Sequence, residues 1–196
     1  MTSSKEDHFE AKYESEQKPF EGIIAHLRDV AGQNPISNGT LEIISPTKTH
    51  PEYPLTNLIE YKDLLDKCYW NFACYNPKEE ENWLLFDYKE NHRVFITAYT
   101  IRSGGSSHPK SWMLEGSNDR NKWYPIHKVS NCSFLNTPRA THTFIIEDSE
   151  IKPEMKNGFR YIKFVQLENM SPKIERKYRI NLKAIEFFGE YYVRNA

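Results

Sequence analysis

Apolar positions recur at two spacings along this chain, and the spacing changes only once. Between residues 20 and 31, Ile23, Ile24, Leu27 and Val30 follow one another at helical steps, and Gly32 comes next. That is the period of an amphipathic helix closed by a glycine, and it predicts one over Phe20–Ala31. Beyond it the pattern becomes short apolar and aromatic runs bounded by Gly, Pro, Asn, Asp and Ser. Such runs occupy 41–45, 83–89, 94–103, 111–117, 122–128, 141–148, 159–166 and 182–189, and each reads as a strand. No long helix alternates with them, so a parallel sheet is not expected. The pattern predicts an all-β fold, an eight-stranded antiparallel jelly-roll β-sandwich with a short N-terminal helix.

The remaining stretches are read by default. Residues 1–18 are polar, lack any period and are expected to form a flexible tail. Residues 46–69 contain Pro46, Pro51 and Pro54 and read as a long packed loop, with one helical turn near 57–65. The sandwich is expected over 19–190, followed by a C-terminal tail over 191–196.

The stretch SWMLEGSNDRNKWYPI (111–126) carries a tryptophan on each side of a polar hexad. Asn118, Asp119 and Asn121 supply turn chemistry, so the two runs read as a hairpin. Alternation places Trp112 and Leu114 on one face. Trp123 is expected to close the core from the partner strand, both indoles packing rather than stacking on a ligand.

Composition narrows the function more than the fold. Within 196 residues, 14% are aromatic, a share that favours pleated surfaces. Net charge is −1, but residues 1–90 carry 9 Lys/Arg against 17 Asp/Glu, and residues 91–196 carry 17 against 10. The asymmetry bears on partners and argues against a basic nucleic-acid module. Cys68, Cys74 and Cys132 show no C-x-x-C spacing and cannot all pair, so neither a disulfide framework nor a zinc site is expected. The amino terminus has no apolar signal core, and the expected location is cytoplasmic, with a cytoskeletal or flagellar association in view.

Catalytic signals are missing. Seven histidines are scattered, without a Gly-x-Ser-x-Gly elbow or an H-E-x-x-H pair, so no enzyme activity and no cofactor are expected. Glycan recognition needs aromatic surface beside planar hydrogen-bonding groups on converging loops. His50, Tyr53, Tyr75, Arg102, His108 and Arg139, at or near strand ends, are the candidates. The run KIERKYR gathers Lys173, Arg176, Lys177 and Arg179 against Glu175 alone. With Tyr191 and Tyr192 beyond the last strand, it is the candidate surface for an acidic protein partner. Glu60, Asp63 and Asp66 lie in the long loop, and read more simply as a solvated acidic face than as a calcium site.

The ordered series GIIAHL, NWLLFDYKEN, YTIRS, SHPKSWMLEGSND, KWYPI, HTF, FRYIKFVQ and AIEFFG resembles the coagulation factor V/VIII type C (discoidin) domain. It is most similar to the intracellular branch found beside BTB domains and in protist proteins, over residues 20–190. The resemblance implies a galactose-binding-like sandwich and a non-catalytic recognition module. Its relatives bind glycans, phospholipid headgroups or proteins through loops at one end. It also places Glu186 at the position where glycan-binding relatives hold a calcium ligand, but the glycine-rich aspartate loop they use is missing here, so a calcium site is not favoured. The pattern departs in three ways: no cysteines lie near the domain ends, the loop SPTKTHPEYPLTN is mostly polar, and no BTB segment accompanies it. The expected function is therefore protein–protein binding within a larger assembly. Glycan binding is the alternative, and anionic-lipid binding the third reading.

Overall fold

The computed structural model describes residues 8–46, 54–61, 70–71, 82–176 and 179–193. The predicted elements are all present, and each strand pairs antiparallel. β1 (His8–Ala11), β10 (Asn181–Val193), β5 (His92–Ser103) and β8 (Thr141–Ile145) form one sheet in that order, and the two-residue β3 (Trp70–Asn71) also pairs with β10. β2 (Glu42–Ile44), β4 (Trp83–Asp87), β9 (Tyr161–Asn169), β6 (Pro109–Ser117) and β7 (Tyr124–Val129) form the other. Among the described residues the sandwich thus has nine strands of three or more residues, one more than expected. No helix among them is long and apolar enough to cross a membrane.

Period-two alternation builds the core between the sheets. Leu84, Phe86, Trp112, Leu114, Ile162 and Phe164 come from one sheet, and Tyr99, Ile101, Ile185 and Phe187 from the other, all fully buried. Phe86 meets Phe187 edge-on across the interior, with centroids 5.1 Å apart at 83°, a favoured aromatic geometry. β6 and β7 form the expected hairpin. Its turn is held by Ser117 Oγ, which accepts from Arg120 N at 3.0 Å, and by Asp119 Oδ1, which accepts from Asn121 N and Lys122 N at 2.8 and 2.9 Å.

Three expectations need correction. The extra strand is β1, which pairs His8 with Tyr192 through Ala11 with Gly189, so residues 8–11 are not tail. β10 continues to Val193, so residues 191–193 are sheet as well. Trp123 is half-buried outside the core, its Nε1 donating to Arg120 O at 3.1 Å and its ring under Lys163 Nζ at 3.8 Å.

The α-helix α1 (Ile23–Ala31), the only one among the described residues, starts later than Phe20. It buries Ile23, Ile24 and Leu27 while Val30 faces solvent, and it ends at Gly32 with φ 68°, the expected left-handed cap. Its start is set from outside the helix. Gly22 offers no capping side chain. Instead the carboxylate of Glu186 in β10 accepts from Ile24 N and Ala25 N, both at 2.9 Å, and from Phe187 N at 2.8 Å. A Cβ at position 22 would lie 2.3 Å from Phe187 O and 2.7 Å from Glu186 Cγ, so only glycine lets the helix approach its cap.

Candidate functional site

The strand registers define two ends of the sandwich. Val193 pairs with His92 and Tyr192 with His8 at one end. At the other, Leu182 pairs with Ser103, Arg102 with Thr141 and Pro109 with Asn169. Here the connections 104–108 and 130–140 meet the described residues of the β9–β10 connection, 170–176 and 179–180.

These connections are braced by buried polar side chains. Asn169 Nδ2 donates to Arg176 O and Arg179 O at 2.6 and 2.9 Å, and Gln166 Nε2 donates to Arg179 O at 2.7 Å. Asn181 Nδ2 reaches Ser106 Oγ at 3.3 Å. Ser103 Oγ donates to Thr137 O at 2.5 Å, while Arg139 N donates to Ser103 O at 3.2 Å. Backbone carbonyls that strands would normally pair are thus satisfied by amides and hydroxyls. Ser107 and Arg139 take left-handed φ of 51° and 64°, a conformation that costs a side-chain-bearing residue about 1 kcal/mol.

The predicted ligand residues are only partly brought together. Arg102 Nε donates to Thr141 Oγ1 at 2.9 Å, and Thr141 Oγ1 donates to Arg139 O at 3.3 Å. Arg102 and Arg139 therefore flank one strand start. The guanidinium of Arg102 also lies 4.7 Å over the ring of Phe20. His108 belongs to the neighbouring connection, its carbonyl accepting from Met170 N at 2.8 Å. Burial pushes its imidazole below the usual range. His50, Tyr53 and Tyr75 lie outside the described residues.

Phe134 has no counterpart among the residues expected from the sequence. Its side chain is 61% exposed in the β7–β8 connection, and its ring lies parallel to His142, with centroids 4.0 Å apart at 7°. His142 in turn meets Phe144 edge-on at 4.8 Å. An aromatic surface is thereby anchored to the core and presented to solvent at the loop end. Burial holds the His142 imidazole below its ordinary range, against the pull of Glu16, which keeps it neutral at pH 7. A lone phenylalanine in the polar stretch NCSFLNTPR was the available signal.

The expected partner surface divides between the two ends. Lys173 and Arg176 lie at the loop end, with Ile174 between them 89% exposed. Arg179 is half-buried beside them, and Lys177 is outside the described residues. Tyr191 is a correction: it is 7% exposed, stacks on Phe9 at 5.0 Å and belongs to the core at the far end. Tyr192, half-buried, is its neighbour there.

Of the calcium candidates, only Glu60 and Glu186 lie among the described residues, and each is engaged elsewhere. Glu60 accepts a hydrogen bond from Asn34 Nδ2, Glu186 caps α1, and Asp63 and Asp66 lie outside the described residues. Among the described residues no group of three or more His, Cys, Asp or Glu is placed to hold a metal.

No family model matches the chain, and no curated protein matches it in sequence. Solved structures do. A CBM32 module of Clostridium perfringens, in complex with GalNAc-β-1,3-galactose, superposes with a TM-score of 0.51 at 15% identity, over 76% of this chain and 96% of that one. The CBM62 module of Clostridium thermocellum Xyl5A gives 0.50 at 16%, over 76% and 94%. Allantoicase gives 0.51 at 12%, over 76% of this chain and 40% of its own. The likeness is one of fold. This chain shares the two-sheet antiparallel β-sandwich of these modules, in agreement with the sandwich that its strand pattern predicts.

Proposed function

We propose that this chain is a non-catalytic glycan-binding module whose sugar platform is Phe134, backed by His142. One observation carries the reading: the exposed ring of Phe134 lies flat on an imidazole at the braced loop end. Leaving a large ring in water forfeits its burial energy, and a stacked, oriented ring suits the aliphatic face of a pyranose. Arg139 on the same connection and Arg102 beside Thr141 supply the planar donors that fix a sugar's hydroxyls. The fold likeness to a module seen with GalNAc-β-1,3-galactose supports the same class of ligand. It displaces protein–protein binding as the leading function, because half of the aromatic partner surface is buried at the wrong end.

The test is a glycan array followed by titration of its best-bound sugar. Phe134→Ala is expected to weaken binding at least about tenfold, a loss typical of an interface aromatic, with the melting temperature nearly unmoved. Unchanged affinity in that variant, or no sugar bound by the parent, overturns the reading.

A further inference from the structure

His142 faces more than Phe134. It also lines a hollow of about 280 Å³ between the edge strand β8 and the N-terminal segment, together with Tyr13, Glu16, Arg102, Thr141 and Thr143. The walls of this hollow are held in place. Tyr13 packs edge-on against Phe188, with centroids 5.4 Å apart. Arg102 is fixed between Phe20 and Thr141, and Thr143 Oγ1 shares a hydrogen bond of 2.7 Å with Thr100 Oγ1.

The chemistry of the hollow is mixed in a particular way. A guanidinium and an imidazole can donate, a carboxylate and the two threonine hydroxyls can accept, and one phenol ring adds flat apolar surface. A ligand matching that lining must both donate and accept along its edge while presenting C–H groups to a ring. Sugars do this; a lipid chain or a phosphate does not. The volume lies just below the range of about 300–1,000 Å³ typical for small-molecule sites, which suits a single sugar unit.

We propose that this hollow is a second sugar subsite, and that the ligand is an oligosaccharide running from Phe134 across His142 to Tyr13 and Glu16. The inference rests on the glycan-binding reading above and adds the N-terminal segment to the site. It makes chain length, not only sugar identity, the determinant of affinity.

The test uses ladders of mono- to tetrasaccharides of β-linked galactose, glucose and N-acetylglucosamine, titrated against the full chain. The parent is expected to bind a tetrasaccharide at least about tenfold tighter than its monosaccharide, the yield of one further productive contact set. Glu16→Gln and Tyr13→Leu should each bring that ratio towards unity while leaving monosaccharide affinity unchanged. Glu16 is exposed, so its isosteric replacement keeps the fold even if the Tyr13 variant does not. A ratio that survives in Glu16→Gln, or a parent indifferent to length, overturns the subsite alone while the Phe134 platform stands. A parent that binds no member of any ladder overturns both.

Discussion

Trp112 is fully buried, yet its indole nitrogen is paired: Nε1 donates to Tyr99 Oη at 2.9 Å, and that oxygen meets His127 Nδ1 at 2.9 Å. The ring also meets Phe144 edge-on at 5.0 Å. Trp112→Ala would open a cavity and strip Tyr99 of one partner. It should cost roughly 3–5 kcal/mol, read as a lowered urea midpoint at an unchanged slope. An unmoved midpoint would place the indole outside the core. Its position was legible from alternation alone. That of Trp123 was not, because a register shift between Leu114 and Glu115 interrupts the β6–β7 pairing, and Trp123 precedes the first paired residue of β7. A bulge reverses faces without leaving a mark in hydrophobic pattern.

At the scale of elements, α1 shows how a helix can borrow its start. The period of Ile23, Ile24 and Leu27 revealed the helix, but its first turn depends on a carboxylate far along the chain. Glu186 is fully buried, and burial pushes its carboxyl up to about 7 despite the amides of Ile24, Phe187 and Ala25. Tyr61, Tyr88 and, at greater remove, Arg28 are the other polar groups at this site. Because the folded state holds this proton more tightly than the unfolded chain, its contribution to stability is complete below about 4.5 and is lost as pH rises through about 7. A shift of that size corresponds to roughly 3 kcal/mol. Unfolding free energies of the parent should therefore fall between pH 5 and 8 relative to those of Glu186→Gln. A constant difference between the two proteins would show that the carboxyl does not titrate in this window. The family resemblance pointed to Glu186 as a residue of consequence and assigned it to a metal; the helix N-terminus occupies its oxygens instead. β1 leaves little trace in the sequence for a simpler reason, since four residues of alternation, HFEA, are too few to rise above a polar surrounding. The stacked pair Phe134–His142 was hidden too, because it joins a loop residue to a strand residue and has no spacing of its own.

Across the whole molecule, the two ends of the sandwich present different side chains. The loop end carries the exposed aromatic ring, Arg102, Arg139, Lys173, Arg176 and Ile174. The opposite end closes on core aromatics, Tyr191 among them. Fold and architecture were legible because eight runs and their breakers recur between residues 41 and 189. Which loops meet, and which side chains they present, depends on registers that only the folded sheets contain.

The pairing of β1 with β10 has a mechanical consequence. His8 and Val193 emerge side by side, because the strands are antiparallel and their ladder begins at His8 with Tyr192. Force applied through these two positions pulls along the ladder's open end, so its four residue pairs rupture in succession and never share the load. Stretching a single molecule through residues 8 and 193 should show an early release of β1 at low force. The remaining sandwich should then give way at higher force. A single rupture event would mean that Phe9, wedged between His26 and Tyr191, clamps the strand more firmly than its backbone bonds do.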